Sequence, residues 1–236
     1  MKRFVWAIIL AGTMLLWNSL SLAQAAEDKT TKAAAPAASA PVGLDDQFLD
    51  AAQKGDVALV TQLLDKGAKI DAVAGKGAFT ALIAASALGK VEVVKLLLDK
   101  GAKTEIKDSR GDTALHYAVM VSNVAEVKML IAKGANIDVQ EENGLSPLML
   151  SIVSGSEEIV NLLLDHGANT EARDKNGFTV LMAASGGGLV NIMELLIAKG
   201  AKVDAKSNDG TTALMLATKN NKAEAVNLLR ENGAVE

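Results

Sequence analysis

A period of 33 residues runs through the chain and constrains its fold more than any other feature. Gly-Ala recurs at Gly67, Gly101, Gly134, Gly167, Gly200 and Gly233, and a threonine or serine ahead of a short apolar run recurs at Thr80, Thr113, Ser146, Thr179 and Thr212. Neighbouring markers stand 33 residues apart except for one interval of 34, between Gly67 and Gly101. Such self-similarity is the signature of stacked units, each too small to bury its apolar face alone and each covered by its neighbours. A stack presents one long surface, which favours binding over catalysis.

The register is regular inside the unit as well. From each threonine or serine to the next Gly-Ala is always 21 residues, so the extra residue lies between Gly67 and Thr80. That is a connecting segment, where an insertion shifts no core contact and adds little closure entropy. In the third copy, Leu115 and Ala118 give a short helix one apolar face, and a second helix over Val124 to Lys133 carries Val127, Met129, Leu130 and Ile131. The second helix is apolar over a wide arc, as expected of an element between two neighbours.

The punctuation has physical causes. Thr113 is placed to cap the first helix through its hydroxyl, and Pro147 falls at the first helical position of the next copy, where a missing N–H costs nothing. Gly55, Gly89, Gly155 and Gly188 close the first helix and the Gly-Ala glycines close the second. The third copy has Ser122-Asn123 and the last has Asn221 at the first of these points, with asparagine the expected substitute for glycine.

The helix openings read Thr113-Ala114-Leu115-His116, Ser146-Pro147-Leu148-Met149, Thr179-Val180-Leu181-Met182 and Thr212-Ala213-Leu214-Met215. In units of this length the pattern resembles that of ankyrin-repeat proteins, whose units open on Thr-Pro-Leu-His. Only one copy keeps the histidine and only one the proline. The resemblance covers residues 44–236. It implies an all-α solenoid of about six helix-turn-helix units joined by β-hairpin-like loops, at about 44–74, 75–107, 108–140, 141–173, 174–206 and 207–236. The first unit lacks the threonine motif and carries Asp45, Asp46, Gln47, Asp50, Gln53 and Lys54. The last puts Lys222, Glu224, Asn227, Arg230 and Glu231 around its second helix, and polar ends of this kind keep a solenoid soluble and monomeric.

The N-terminal residues follow a different pattern. Lys2 and Arg3 precede an apolar stretch from Phe4 to Trp17 and then Ala23-Gln24-Ala25, which reads as a secretory signal peptide over 1–25, cleaved after Ala25. The alternative is an uncleaved membrane anchor, since Phe4 to Ala26 is long enough to span a bilayer. Residues 26–43, rich in alanine and proline, read as a flexible linker. The expected location is therefore periplasmic or secreted, with membrane contact only if the leader stays attached.

Composition removes several function classes. Without Lys2 and Arg3 the chain keeps 22 of its 24 basic residues against 28 acidic ones, and no basic stripe offers itself to a nucleic acid. The absence of cysteine rules out disulfides, thiol catalysis and thiolate metal sites. His116 and His166 each have a structural reading: the resemblance gives the first a role in tying neighbouring loop backbone to the helix start, and the second closes a helix where its ring suits the dipole. Asp45-Asp46, Glu141-Glu142 and Glu157-Glu158 read as solvated face rather than calcium ligands or acid-base pairs, and Gly186-Gly187-Gly188 as a floppy turn rather than a phosphate loop. No catalytic, cofactor or metal role is expected.

In ankyrin arrays, the resemblance implies, a partner protein or peptide meets the loop tips and the exposed flank of each first helix. The tips fall at Lys76, Gly77 and Phe79; Ser109, Arg110 and Asp112; Glu142, Asn143 and Leu145; Lys175, Asn176 and Phe178; Asn208, Asp209 and Thr211. The flanks fall at Ala87 and Leu88; Met120 and Val121; Val153 and Ser154; Gly186 and Gly187; Lys219 and Asn220. Phe79, Leu88, Met120, Val121, Leu145, Val153 and Phe178 are apolar there, and either form the floor of a binding groove or pack between units as core. Arg110, Asp112, Glu142 and Lys175 are the expected polar rim.

Overall fold

A computed structural model of the chain describes residues 43–75 and 77–235, so the leader and all but the last residue of the linker lie outside the described residues. Among the described residues twelve helices form six pairs: α1 Leu44–Lys54 with α2 Val57–Asp65, α3 Ala81–Ala87 with α4 Val91–Asp99, and α5 Ala114–Met120 with α6 Val124–Ala132. The other three pairs are α7 Pro147–Val153 with α8 Glu157–Asp165, α9 Val180–Gly187 with α10 Val190–Ala198, and α11 Ala213–Lys219 with α12 Ala223–Glu231. None of these helices is long and apolar enough to cross a membrane. The helix pairs repeat in the register of the sequence, and the fold is an all-α repeat solenoid.

First helices stack on first helices and second on second, in two layers with one continuous core between them. The first layer packs the more closely, because alanines such as Ala81, Ala85, Ala114, Ala118, Ala184, Ala213 and Ala217 are buried there and let backbones approach. The second layer is held apart by pairs such as Val93 and Val94, Leu97 and Leu98, Ile159 and Val160, and Leu163 and Leu164. Closer packing in the first layer than in the second bends a stack toward its first helices, which puts them on the concave side that the resemblance implies. Four of their starts are capped through a hydroxyl: Thr80, Ser146, Thr179 and Thr212 accept the N–H of Ile83, Met149, Met182 and Met215 at 3.2–3.3 Å. A cap of this kind is worth about 1 kcal/mol. At Thr113, the cap expected from the sequence, the hydroxyl lies 3.0 Å from the His116 ring instead.

Three sets of bonds lock unit to unit. Hairpin tips are joined by main-chain bonds from Ser109 N to Gly77 O, Glu142 N to Arg110 O, Lys175 N to Asn143 O and Asn208 N to Asn176 O, each 2.8–3.0 Å. One carboxylate per unit (Asp71, Glu105, Asp138, Glu171, Asp204) accepts a main-chain N–H of the following unit. Side chains of Lys107, Gln140 and Arg173 each donate to the carbonyl of the equivalent residue one unit on. The hairpin bases close at Ala74 with Phe79 and at Arg173 with Thr179. Ala74 to Phe79 is one residue longer than its counterpart Asp108 to Asp112, so the inserted residue sits in the first tip.

Three details depart from the sequence reading. Ser122, not Asn123, takes the left-handed conformation between α5 and α6 (φ 54°), because Asn123 is engaged in capping α6 by accepting from Glu126 N. Gly186 and Gly187 are not a turn: α9 runs through them and only Gly188 turns left-handed, while Asn220 Nδ2 donates to Gly186 O at 2.8 Å. Asp45 and Glu141 are not merely solvated. Asp45 accepts from Lys69 N, and Glu141 holds its own hairpin by accepting from Asn143 N and Leu145 N.

Candidate partner-binding groove

No Asp, Glu, Lys or Arg occurs in the first helices of units two to five. Most of each helix is buried against its neighbours, and the residues left at the surface are Ala87, Met120, Val153, Ala183, Gly186 and Gly187, followed by Leu88, Val121 and Ser154 just beyond the helix ends. The concave face is therefore an uncharged strip, bulky at Met120, Val121 and Val153 and nearly bare backbone at Gly186 and Gly187. Met120 is half-buried on the core and Val121 is 38% exposed. Leu88 and Val153 are half-buried. For these flank positions the structure leaves part of each side chain at the surface.

Phe79, Leu145 and Phe178, on the hairpins, are half-buried and packed against the core while keeping an open edge. Phe79 folds back over Gly77, where a Cβ would stand 2.2 Å from its ring, so that glycine is covered by its neighbour. Glu142 and Lys175 are exposed on the rim. Lys76 lies outside the described residues. Asp112 is not a rim residue: it is 5% exposed, turned inward beside Arg110.

Arg110 and Asp112 belong to a cluster that joins units two and three. Its centre is Tyr117, which sequence reasoning passed over although it is the only tyrosine and replaces Ala84, Leu150, Ala183 and Leu216 of the other units. Arg110 Nη2 donates to Tyr117 Oη at 2.6 Å, and that hydroxyl donates to Asp108 Oδ2 at 2.7 Å. The guanidinium carbon lies 5.7 Å from the centre of the tyrosine ring, and Phe79 meets the same ring edge-on at 6.0 Å. Asp108 Oδ1 accepts from Arg110 N and Asp112 N, so both of its oxygens are engaged. Asp112 faces Arg110 Nη2 at 3.3 Å. Burial pushes the Asp112 carboxyl up to about 7 against the pull of Arg110, with Asp108, Glu141 and Glu142 adding to the rise. Burial likewise raises the Tyr117 phenol.

His116 does what the resemblance implied. Its Nδ1 accepts from Thr113 N at 3.1 Å and its Nε2 donates to Leu145 O of the next hairpin at 3.3 Å, and burial holds the ring down at about 4. His166 Nδ1 donates to Leu162 O at 2.8 Å and so closes α8. Among the described residues no three His, Asp or Glu side chains stand together as metal ligands do.

Comparison with known proteins bears on both family and fold. The family model "Ankyrin repeats (3 copies)" matches over residues 48–141, 102–174, 123–207 and 169–235. A chain of the solved structure described as the Bd0816 predatory endopeptidase from Bdellovibrio bacteriovorus in complex with immunity protein Bd3460 is 28% identical, with a TM-score of 0.70, the match covering 78% of this chain and 97% of that one. No curated protein matches in sequence.

Proposed function

Because this chain belongs to the ankyrin-repeat family, we propose that it is a non-catalytic protein that binds a partner protein or peptide through its hairpin tips and concave groove. The observation that carries the reading is the uncharged first-helix face of units two to five, edged by the half-buried Phe79 and Phe178. The other two aromatic residues of the repeats, Phe48 and Tyr117, are buried. Aromatic and arginine side chains at a partly open surface are the usual anchors of protein interfaces. Met120 and Val121 would bury most against a partner, with Leu88, Leu145 and Val153 extending the apolar contact. Glu142 and Lys175 would set register from the rim.

A photo-crosslinking residue at Val121, introduced into the chain in its native host, should capture a partner that the same residue at Lys128 of α6 does not. Met120→Ser with Val121→Ser should abolish capture by a crosslinker moved to Ser154, while leaving the helical signal and melting cooperativity unchanged. Undiminished capture in the folded double variant would sink the groove assignment.

A second reading makes the partner an exported enzyme that the chain stabilises or inhibits. It is favoured by the likeness to a chain from a complex of an endopeptidase with an immunity protein. The leader pattern over 1–25 supports export to the periplasm or beyond. Mass spectrometry of the exported protein should find a chain starting at Ala26 or Glu27. One that retains Met1 speaks instead for the membrane-anchored scaffold.

A further inference from the structure

The ion pairs of Arg110 are built unlike those of the lysines. Lys54 with Asp50, Lys128 with Glu158, Lys133 with Asp99 and Lys199 with Asp165 are open to solvent on both sides. Arg110 couples a guanidinium 39% exposed to two sunken carboxylates, Asp112 at 3.3 Å and Asp108 at 3.8 Å. Asp108 is further engaged by Tyr117 and two main-chain N–H groups, whereas Asp112 has the guanidinium alone as its cation.

The position of Asp112 makes this pairing a matter of choice rather than of fold. Phe79, Leu145, Phe178 and Thr211 stand at the same point of the other hairpins, each with its main-chain carbonyl closing the hairpin as that of Asp112 does. No carboxylate is needed there to make the turn. Around the Asp112 side chain, its own hairpin supplies Arg110 and Asp108, and the next hairpin supplies Glu141 and Glu142. Tyr117 of α5 meets the same arginine, and Phe79 of the preceding hairpin is uncharged. Asp108 and Glu141 are already engaged by main-chain N–H groups. Asp112 is thus a buried acid opposed by three other carboxylates and relieved by one cation.

We propose that Asp112 and Arg110 form a proton-operated latch on the groove: ionised, Asp112 ties the guanidinium down beside Tyr117; protonated, it lets go and the surface gains one positive charge. The carboxylate takes one proton from solvent and no other bond changes. Released from one of its two carboxylates, Arg110 is freer to meet an acidic group on a partner, so an acidic contact is favoured as pH falls and a basic one disfavoured. Its regulatory meaning rests on the groove being the partner surface; the latch itself does not. Burial of Asp112 brings the switch into the neutral range.

Because the chain contains a single tyrosine, fluorotyrosine incorporated into the full chain gives one fluorine NMR line, located at the latch. That line should shift with a single midpoint near pH 7. Asp112→Asn should hold it still over roughly pH 6 to 8, one unit either side of neutrality. Asp112→Thr, which borrows Thr211 from the hairpin of the sixth unit, should do the same and guards against a variant that fails to fold. Arg110→Ala should move the midpoint to higher pH, since the guanidinium favours the ionised acid. Glu126→Gln should leave the titration as it was. A line that does not titrate in the unaltered chain, or that titrates equally in Asp112→Asn and Asp112→Thr, overturns the latch. Neither result bears on crosslinking at Val121, so the groove is judged separately.

Discussion

Glu126 is fully buried at a position where the other units carry Leu59, Val93, Ile159, Ile192 and Ala225. Its Oε1 accepts from Asn123 Nδ2 at 2.9 Å, and its Oε2 has no hydrogen-bond partner among the described residues. Burial pushes the carboxyl up to about 7, with Glu92 of the preceding unit adding to the rise. A raised acid favours the folded state below its ordinary value and loses that contribution as pH climbs through the folded one, here from about 4.5 to about 7. Glu126→Leu should therefore stabilise the array by about 1–3 kcal/mol at roughly pH 8 and by less at roughly pH 5, read from urea unfolding midpoints. An equal effect at both would show that the charge is not what costs stability. His116 has the opposite sign: held down at about 4, it supports the fold above its ordinary value of 6.5 and loses that support as pH falls toward 4.

At the scale of the element, the turn between the paired helices shows how far the repeat can be read from sequence. Five copies fill its left-handed position with Gly55, Gly89, Gly155, Gly188 or Asn221, and the third uses Ser122 at φ 54°. Serine has no compensation there comparable to the local hydrogen bonds that asparagine makes. Ser122→Gly is expected to raise stability by about 0.5–1 kcal/mol in thermal or urea unfolding, without change to the helical signal. A neutral or destabilising result would mean that the serine makes a compensating contact. The dipeptide Ser122-Asn123 leaves two candidates for that turn, and the period decides between them: Ser122 stands 33 residues from both Gly89 and Gly155, and Asn123 falls at the next position, where it caps the second helix. The triple glycine was misread because neighbours hold Gly186 and Gly187 helical where intrinsic propensity would not.

Across the whole molecule, a residue's role depends on its unit's place in the stack. Ile83, His116, Met149 and Met182 share one register position and are all buried beneath the next unit, whereas Met215, at the same position of the sixth unit, is 49% exposed. The groove is likewise a property of the assembled stack. Phe79 comes from one unit and Arg110 and Tyr117 from the next, and they meet only because the hairpin tips are joined in line. Stacking of first helix on first helix gathers the ends of the four central ones on one side.

Sequence alone determined the periodic part of this protein: six helix pairs and the residues that punctuate them. A repeat can be read from a single chain because each copy is a test of the others, and local signals recur wherever the backbone has the same need. Tertiary structure alone decided which residues act together. It turned Asp112 inward, brought Tyr117 under Arg110, left Glu126 buried with an oxygen unpaired, and put the scattered acids Asp71, Glu105, Asp138, Glu171 and Asp204 to use between units. Period fixes where a side chain starts. Which atoms it meets depends on the shape and charge of two neighbouring units at once, and no single unit's sequence contains that.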